Sequence, residues 1–244
     1  MLEGFYPSVA TTPKYDIIDI TTMDSYYDNI SPNPNICPIL NQYLDGSRNT
    51  PEYIQHQQKV TQPIYEALTQ ALGFTVDSWD TLNQIHDCAV VHACHDQLPS
   101  SITPELYDAV MEEFEYNYYA GYNYPSAVEN AQAGIGYLLQ EMSGFMLDVV
   151  NNSTTSQQYK LLLFSGHDTT LVPILNAFQQ WNGIWAMYAS QMQFELYQSK
   201  STGSYSMRIT YNGEPVMVPG CTNAVCPWNT FYSYLQTIFP NGNC

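Results

Sequence analysis

Residues 160–178 read Lys-Leu-Leu-Leu-Phe-Ser-Gly-His-Asp-Thr-Thr-Leu-Val-Pro-Ile-Leu-Asn-Ala-Phe. A short apolar run, a tight polar loop and a second apolar stretch at helical spacing predict a strand, a loop and a helix, with Pro173 tolerable in the first helical turns. In open α/β sheets, loops at the carboxyl ends of strands collect reactive side chains, because helix amino termini point N–H groups outward there. Gly166 lets the backbone approach closely, His167 can donate a hydrogen bond to an anion, and Asp168 can donate a proton. The pattern alone also admits a plainer reading, with Asp168 as a helix cap and His167 as a satisfied loop residue.

Working outward, the carboxyl-terminal side is strand-rich. Met192, Phe194 and Leu196 alternate with polar neighbours, as do Met207, Ile209 and Tyr211, and Gly203 between them predicts a hairpin. Val216 to Val218 is a candidate third strand. The amino-terminal side is helical. Ile64, Leu68 and Leu72 recur every four residues ahead of Gly73, and Asp77 opens a helix through Trp79, Leu82 and Ile85. Thr103 with Pro104 caps a third helix, and Ser126 with Glu129 forms a capping box for a long fourth running through Ile135 and Met146. Residues 1–50 read as an irregular segment draped over the rest, with one strand candidate at 15–20. The expectation is an α/β protein, a central mixed sheet flanked by helices with a mostly helical cap layer. Residues 1–60 would carry irregular structure and a strand of the core, 61–150 the cap, and 151–244 the rest of the core.

The 244 residues carry a formal charge of -17, which reflects six Lys and Arg against 23 Asp and Glu. So few bases exclude a nucleic-acid partner. No stretch approaches the roughly 18 apolar residues that a membrane span requires. The first residues lack the basic and apolar regions of a signal peptide, yet six cysteines and N-x-S/T sequons at Asn29, Asn151 and Asn152 favour a secreted, lysosomal or vacuolar protein whose start lies upstream of Met1. Cys221 and Cys226, close in sequence and flanked by prolines, are candidates for pairing. The cluster His86, Cys88, His92, Cys94 and His95 admits a zinc site or, more plainly, a local disulfide beside solvent-facing histidines. The 21 tyrosines and four tryptophans admit a carbohydrate-binding surface or ordinary core and surface packing.

The tract at 160–178 resembles the second signature of the histidine acid phosphatases. The resemblance continues through Trp181-Asn182-Gly183, Tyr188-Ala189-Ser190, the hairpin and the Cys221–Cys226 tract, and more weakly back to Asn35-Ile36-Cys37-Pro38 and Met1-Leu2-Glu3-Gly4-Phe5-Tyr6-Pro7. It implies two-step hydrolysis of phosphate monoesters, without a cofactor, through a phosphohistidine. In that scheme His167 holds phosphate oxygens and Asp168 protonates the leaving alcohol. It also implies that Cys37 pairs with Cys244. Cys88 has a family partner after Tyr-Ala-Ser, where this chain carries Gln191, so Cys94 is expected to pair with it instead. The departure is as plain as the match, because no Arg-His-Gly tract occurs and the arginines are Arg48 and Arg208 alone. The expectation is therefore a fragment carrying the His-Asp half of the site, inactive alone, or else an inactive glycoprotein that binds an anion or a partner. Either a monomer or a homodimer is compatible with the sequence.

Overall fold

The structure is a computed structural model, and it describes residues 20–153 and 160–244. The strand candidate at 15–20 lies outside the described residues except for Ile20, which is exposed and pairs with no other described residue.

Helices dominate the amino-terminal half. In order they are α1 (Ile39–Arg48), α2 (Pro51–His56), a π-helical turn (Gln57–Thr61), α3 (Gln62–Leu72), α4 (Trp79–Cys94), α5 (Pro104–Tyr122), α6 (Ala127–Ala133) and α7 (Gly136–Val150). Four of the seven start at a side-chain cap, and α4 is opened by Ser78 rather than by the expected Asp77. The side chains of Thr50, Ser78, Thr103 and Ser126 each accept the backbone N–H three residues on. Ser126 also donates to the Glu129 carboxylate, a contact between the two side chains in place of the reciprocal backbone bond of a full capping box. Two features differ from the sequence reading. α1 occupies part of the stretch expected to be irregular, and the long fourth helix breaks at Gly134, where ψ is -101°. The break lets α6 pack on α1 and α8 while α7 lies against α9.

The carboxyl-terminal half holds α8 (Asp168–Ala177), β1 (Met192–Gln198), β2 (Tyr205–Tyr211), β3 (Glu214–Val216), β4 (Val225–Pro227) and α9 (Trp228–Ile238). β2 is the centre of the sheet, pairing antiparallel with β1, β3 and β4. The β2–β3 turn is Asn212-Gly213, both at positive φ, the geometry that matches strand twist in a two-residue hairpin. Glu195 lies opposite Arg208, and the two form a half-exposed ion pair at 2.9 Å.

The segment 160–164 forms no strand, which corrects the expectation drawn from its apolar run. Strand geometry needs a partner for its backbone N–H and C=O groups, and no described residue supplies one. Leu161, Leu162 and Leu163 are accordingly 62%, 37% and 53% exposed.

Two apolar cores result. One gathers Leu68, Leu82, Ile85 and Val110 among α3, α4 and α5. The larger joins α6, α7, α8, β2 and α9 through Leu138, Phe178, Met207, Ile209 and Phe231. A disulfide between Cys37 and Cys244, 207 residues apart, ties the ends of the described chain together. Closing a loop of that length stabilises by up to about 5 kcal/mol through the entropy it removes from the unfolded chain. Cys221 is joined to Cys226. The expected pair Cys88 and Cys94 is corrected, since both are free and exposed on α4. Six positions along one helix advance about 9 Å, beyond the span a disulfide tolerates.

Candidate active site at the start of α8

His167 is the N-cap of α8, in an extended conformation, and Asp168 is the first helical residue. The turn is closed by the Thr170 hydroxyl, which accepts the His167 backbone N–H at 3.0 Å. Gly166 is required beside it, because a Cβ there would lie 2.6 Å from Thr170 Oγ1. Thr170 and the following turns of α8 are buried, whereas His167 and Asp168 are exposed at its tip. The helix is thus anchored in the core while its positive end presents both side chains outward.

Asp168 is held on both oxygens. Oδ1 accepts the Thr169 backbone N–H at 2.7 Å, and Oδ2 accepts the indole N–H of Trp185 at 2.8 Å. The tracts Trp-Asn-Gly and Tyr-Ala-Ser flank the loop that delivers this indole. Trp181 Nε1 donates to the Ile184 carbonyl and Asn182 Oδ1 accepts the Ile184 N–H, folding the first turn. Ser190 Oγ accepts from Tyr211 and Asn212, tying the loop's end to β2 and the turn beyond it. The Trp185 backbone N–H donates to Glu115 Oε1 at 2.7 Å. Burial holds the Glu115 carboxyl above the ordinary carboxylate range, with this hydrogen bond opposing and Glu112 adding to the shift.

Aromatic rings connect Asp168 to the helical layer. Trp185 packs on Tyr118 at 4.3 Å and edge-on against Phe114 at 5.0 Å, and Phe114 stacks on Trp79 at 5.7 Å. His86 also stacks on Phe114, at 3.5 Å, and is buried, which leaves His92 and His95 as the solvent-facing histidines of that cluster. Burial lowers its pKa below the usual imidazole value, and its contacts with Asp87 and the charge of Asp168 oppose the shift. The Tyr118 phenol is raised by burial first, then by Asp168 and Asp87, with Arg48 lowering it.

Beside this array lies a cleft of about 320 Å³ whose lining includes Arg48, Trp79, Tyr118, Tyr122 and Thr169, the residue following Asp168. Arg48 sits over the Trp79 ring at 6.0 Å. Sequence reading missed Trp185 and Glu115 as members of the site, and Arg48 in the cleft beside it. Trp185 lies just beyond the Trp-Asn-Gly turn, but nothing local marks its indole as a partner of Asp168. The remaining candidates lie elsewhere. His92 and His95 are exposed, Asn151 and Asn152 are exposed at the end of α7, and the Asn29 amide donates to Glu141 at 2.8 Å. Among the described residues, His86, Cys88, His92, Cys94 and His95 are not gathered into a metal-binding group.

Comparison with known proteins places the chain in a family. The model of the histidine phosphatase superfamily (branch 2) matches residues 1–212. The chain belongs to that superfamily. Its relatives include counting factor 60 of Dictyostelium discoideum, 30% identical over 241 residues, which are 97% of this chain and 55% of that protein. Lysosomal acid phosphatase of Homo sapiens is 28% identical over 249 residues, covering 98% of this chain and 56% of that protein. The chain therefore spans about half the length of these relatives. A phytase structure from Citrobacter braakii shares the fold with a TM-score of 0.60 at 14% identity, over 95% of this chain and 74% of that one.

Proposed function

We propose that these residues form the leaving-group half of an acid phosphatase site, hydrolysing phosphate monoesters in a secreted, lysosomal or vacuolar setting. Asp168 protonates the departing alcohol oxygen, and His167 holds phosphoryl oxygens at the amino terminus of α8. The carrying observation is the Asp168 carboxylate, exposed at a helix start with Oδ2 fixed by Trp185 and the cleft opening beside Thr169. An alkoxide is a poor leaving group unless protonated as it departs, so a positioned carboxylic acid lowers the barrier where the bond to phosphorus breaks. The family relationship supports the same assignment. Attack on phosphorus would fall to a histidine in an Arg-His-Gly tract, which the 244 residues do not contain.

One observation favours a second reading, an inactive protein that binds an anion. None of the five histidines stands beside an arginine in sequence, and Arg208 is neutralised by Glu195.

Two proteins tested at pH 5 separate these readings: the 244-residue chain, and a chimera with the amino-terminal segment of human lysosomal acid phosphatase joined ahead of Met1. The first reading expects background hydrolysis from the chain alone and turnover of nitrophenyl phosphate by the chimera, reduced about a hundredfold or more in His167→Ala. Turnover by the chain alone that disappears in His167→Ala would overturn the division of labour. A folded chimera that binds phosphate but never turns over would favour the second reading.

A further inference from the structure

The cleft beside Thr169 is unusual for this chain in its charge. Against a formal charge of -17, its lining among the described residues holds no Asp or Glu, and Arg48 is the one charged side chain among them. Arg48 is half-buried and, among the described residues, forms no ion pair, whereas Arg208 is paired with Glu195. Its place in the last turn of α1 and its contact with the Trp79 ring account for a cation there, but leave its guanidinium donors without a carboxylate.

The wall that carries Arg48 is built from buried polar groups. Arg48 lies near the Tyr53 hydroxyl, whose pKa it lowers against the dominant effect of burial. That hydroxyl donates to Asn117 Oδ1, and Asn117 Nδ2 donates to Glu113 Oε1 at 2.8 Å. Glu113, 1% exposed, is held in turn by His56 at 2.6 Å and Thr61 at 2.8 Å. The carboxylate of this network is thus occupied by His56, Thr61 and Asn117. Thr169, next to Asp168, also lines the cleft, and the Tyr118 phenol in the same lining responds to both Asp168 and Arg48.

We propose that this cleft is the subsite for the organic part of the phosphate monoester, and that Arg48 binds a second anionic group carried on it. The preferred substrates are then phosphomonoesters of planar, largely apolar alcohols bearing a carboxylate or a second phosphate. Trp79, Tyr118 and Tyr122 give the lining the apolar, aromatic character that suits such a group, and a guanidinium fork suits either anion. The inference rests on the phosphatase reading given above.

The test is binding rather than turnover. Tryptophan fluorescence and calorimetry at pH 5.5 on the 244-residue chain compare phenyl phosphate with 4-carboxyphenyl phosphate. The added carboxylate is expected to tighten binding about tenfold. Arg48→Gln removes that gain while leaving phenyl phosphate within about twofold, and Arg48→Lys keeps part of it. Thermal melts establish that each variant is folded. The proposal is overturned if the carboxylate brings no gain, if neither ligand binds at millimolar concentration, or if Arg48→Gln weakens both ligands equally, which would put Arg48 on the phosphoryl group. His167→Ala supplies the separate control on the underlying reading. It should weaken both ligands alike, and an unchanged affinity for both would sink the phosphatase assignment and the subsite with it, a result distinct from failure of the Arg48 arm alone.

Discussion

The β1–β2 hairpin and the run at 161–163 are written in similar apolar residues, yet they end in opposite environments. Met207 and Ile209 on β2 are fully buried, with β1, β3 and β4 around them and α9 packed on the sheet. Leu161 and Leu163 are more than half exposed, and their segment pairs with nothing among the described residues. The hairpin brings its own partner across a connection of only six residues, so its hydrogen bonds close without distant help. A strand feeding a loop and a helix pairs instead with a strand far away in sequence, and its apolar residues remain open without one. The candidate site stands at the boundary between these regions, with α8 rooted in the packed core and its tip following the open run.

The largest test of this contrast is a pair of substitutions. Ile209→Ala should cost about 3 kcal/mol in urea unfolding, because it opens a cavity in a closed core. Leu162→Ser should change stability by no more than about 0.5 kcal/mol. Comparable losses at both positions would break the contrast and mean that 161–163 is covered in solution.

A smaller effect sharpens how the site joins the packed side. Trp185→Phe keeps an aromatic ring against Tyr118 and Phe114 but removes the indole donor to Asp168. It should cost about 1 kcal/mol. An unchanged unfolding curve would mean that Asp168 finds an equivalent donor.

The smallest expected effect is a slope with pH. Burial lowers the His86 pKa below its ordinary 6.5, so the unfolded chain takes up a proton there before the folded one does. That contribution lowers stability as pH falls below about 6.5. His86→Gln should therefore lose less stability than the parent between pH 6.5 and 5. Parallel pH profiles would show that His86 titrates alike in both states.

Much of this arrangement was legible in local chemistry. Thr103 and Ser126 start their helices as capping residues do, Gly73 ends α3, and alternating residues around Gly203 form the hairpin. The helix α1 was hidden because its polar sequence, Asn-Gln with Asp-Gly-Ser-Arg, resembles a loop, while Leu40 and Leu44 alone hint at a face. The helix α9 carries Trp228, Phe231, Leu235 and Ile238 at helical spacing, a pattern overshadowed by the cysteines just before it. The strand β4 is three residues long and gains its identity only by pairing with β2. His167 and Asp168 were visible because loop, cap and motif coincide within seven residues. Trp185 and Arg48 were not, because their roles depend on contacts created by folding across 17 and more than 100 residues of chain.

Whether Asp168 gives a proton to the departing alcohol is tested most directly in the chimera. The measurement is kcat/KM of the parent and of Asp168→Asn across phosphate esters of increasingly acidic alcohols, from alkyl to nitrophenyl. A proton donor at Asp168 requires a loss of about a hundredfold or more for alkyl phosphates that shrinks steadily toward nitrophenyl phosphate, whose phenolate leaves with little help. An equal loss along the whole series would contradict it and leave Asp168 as a helix cap and a partner for Trp185.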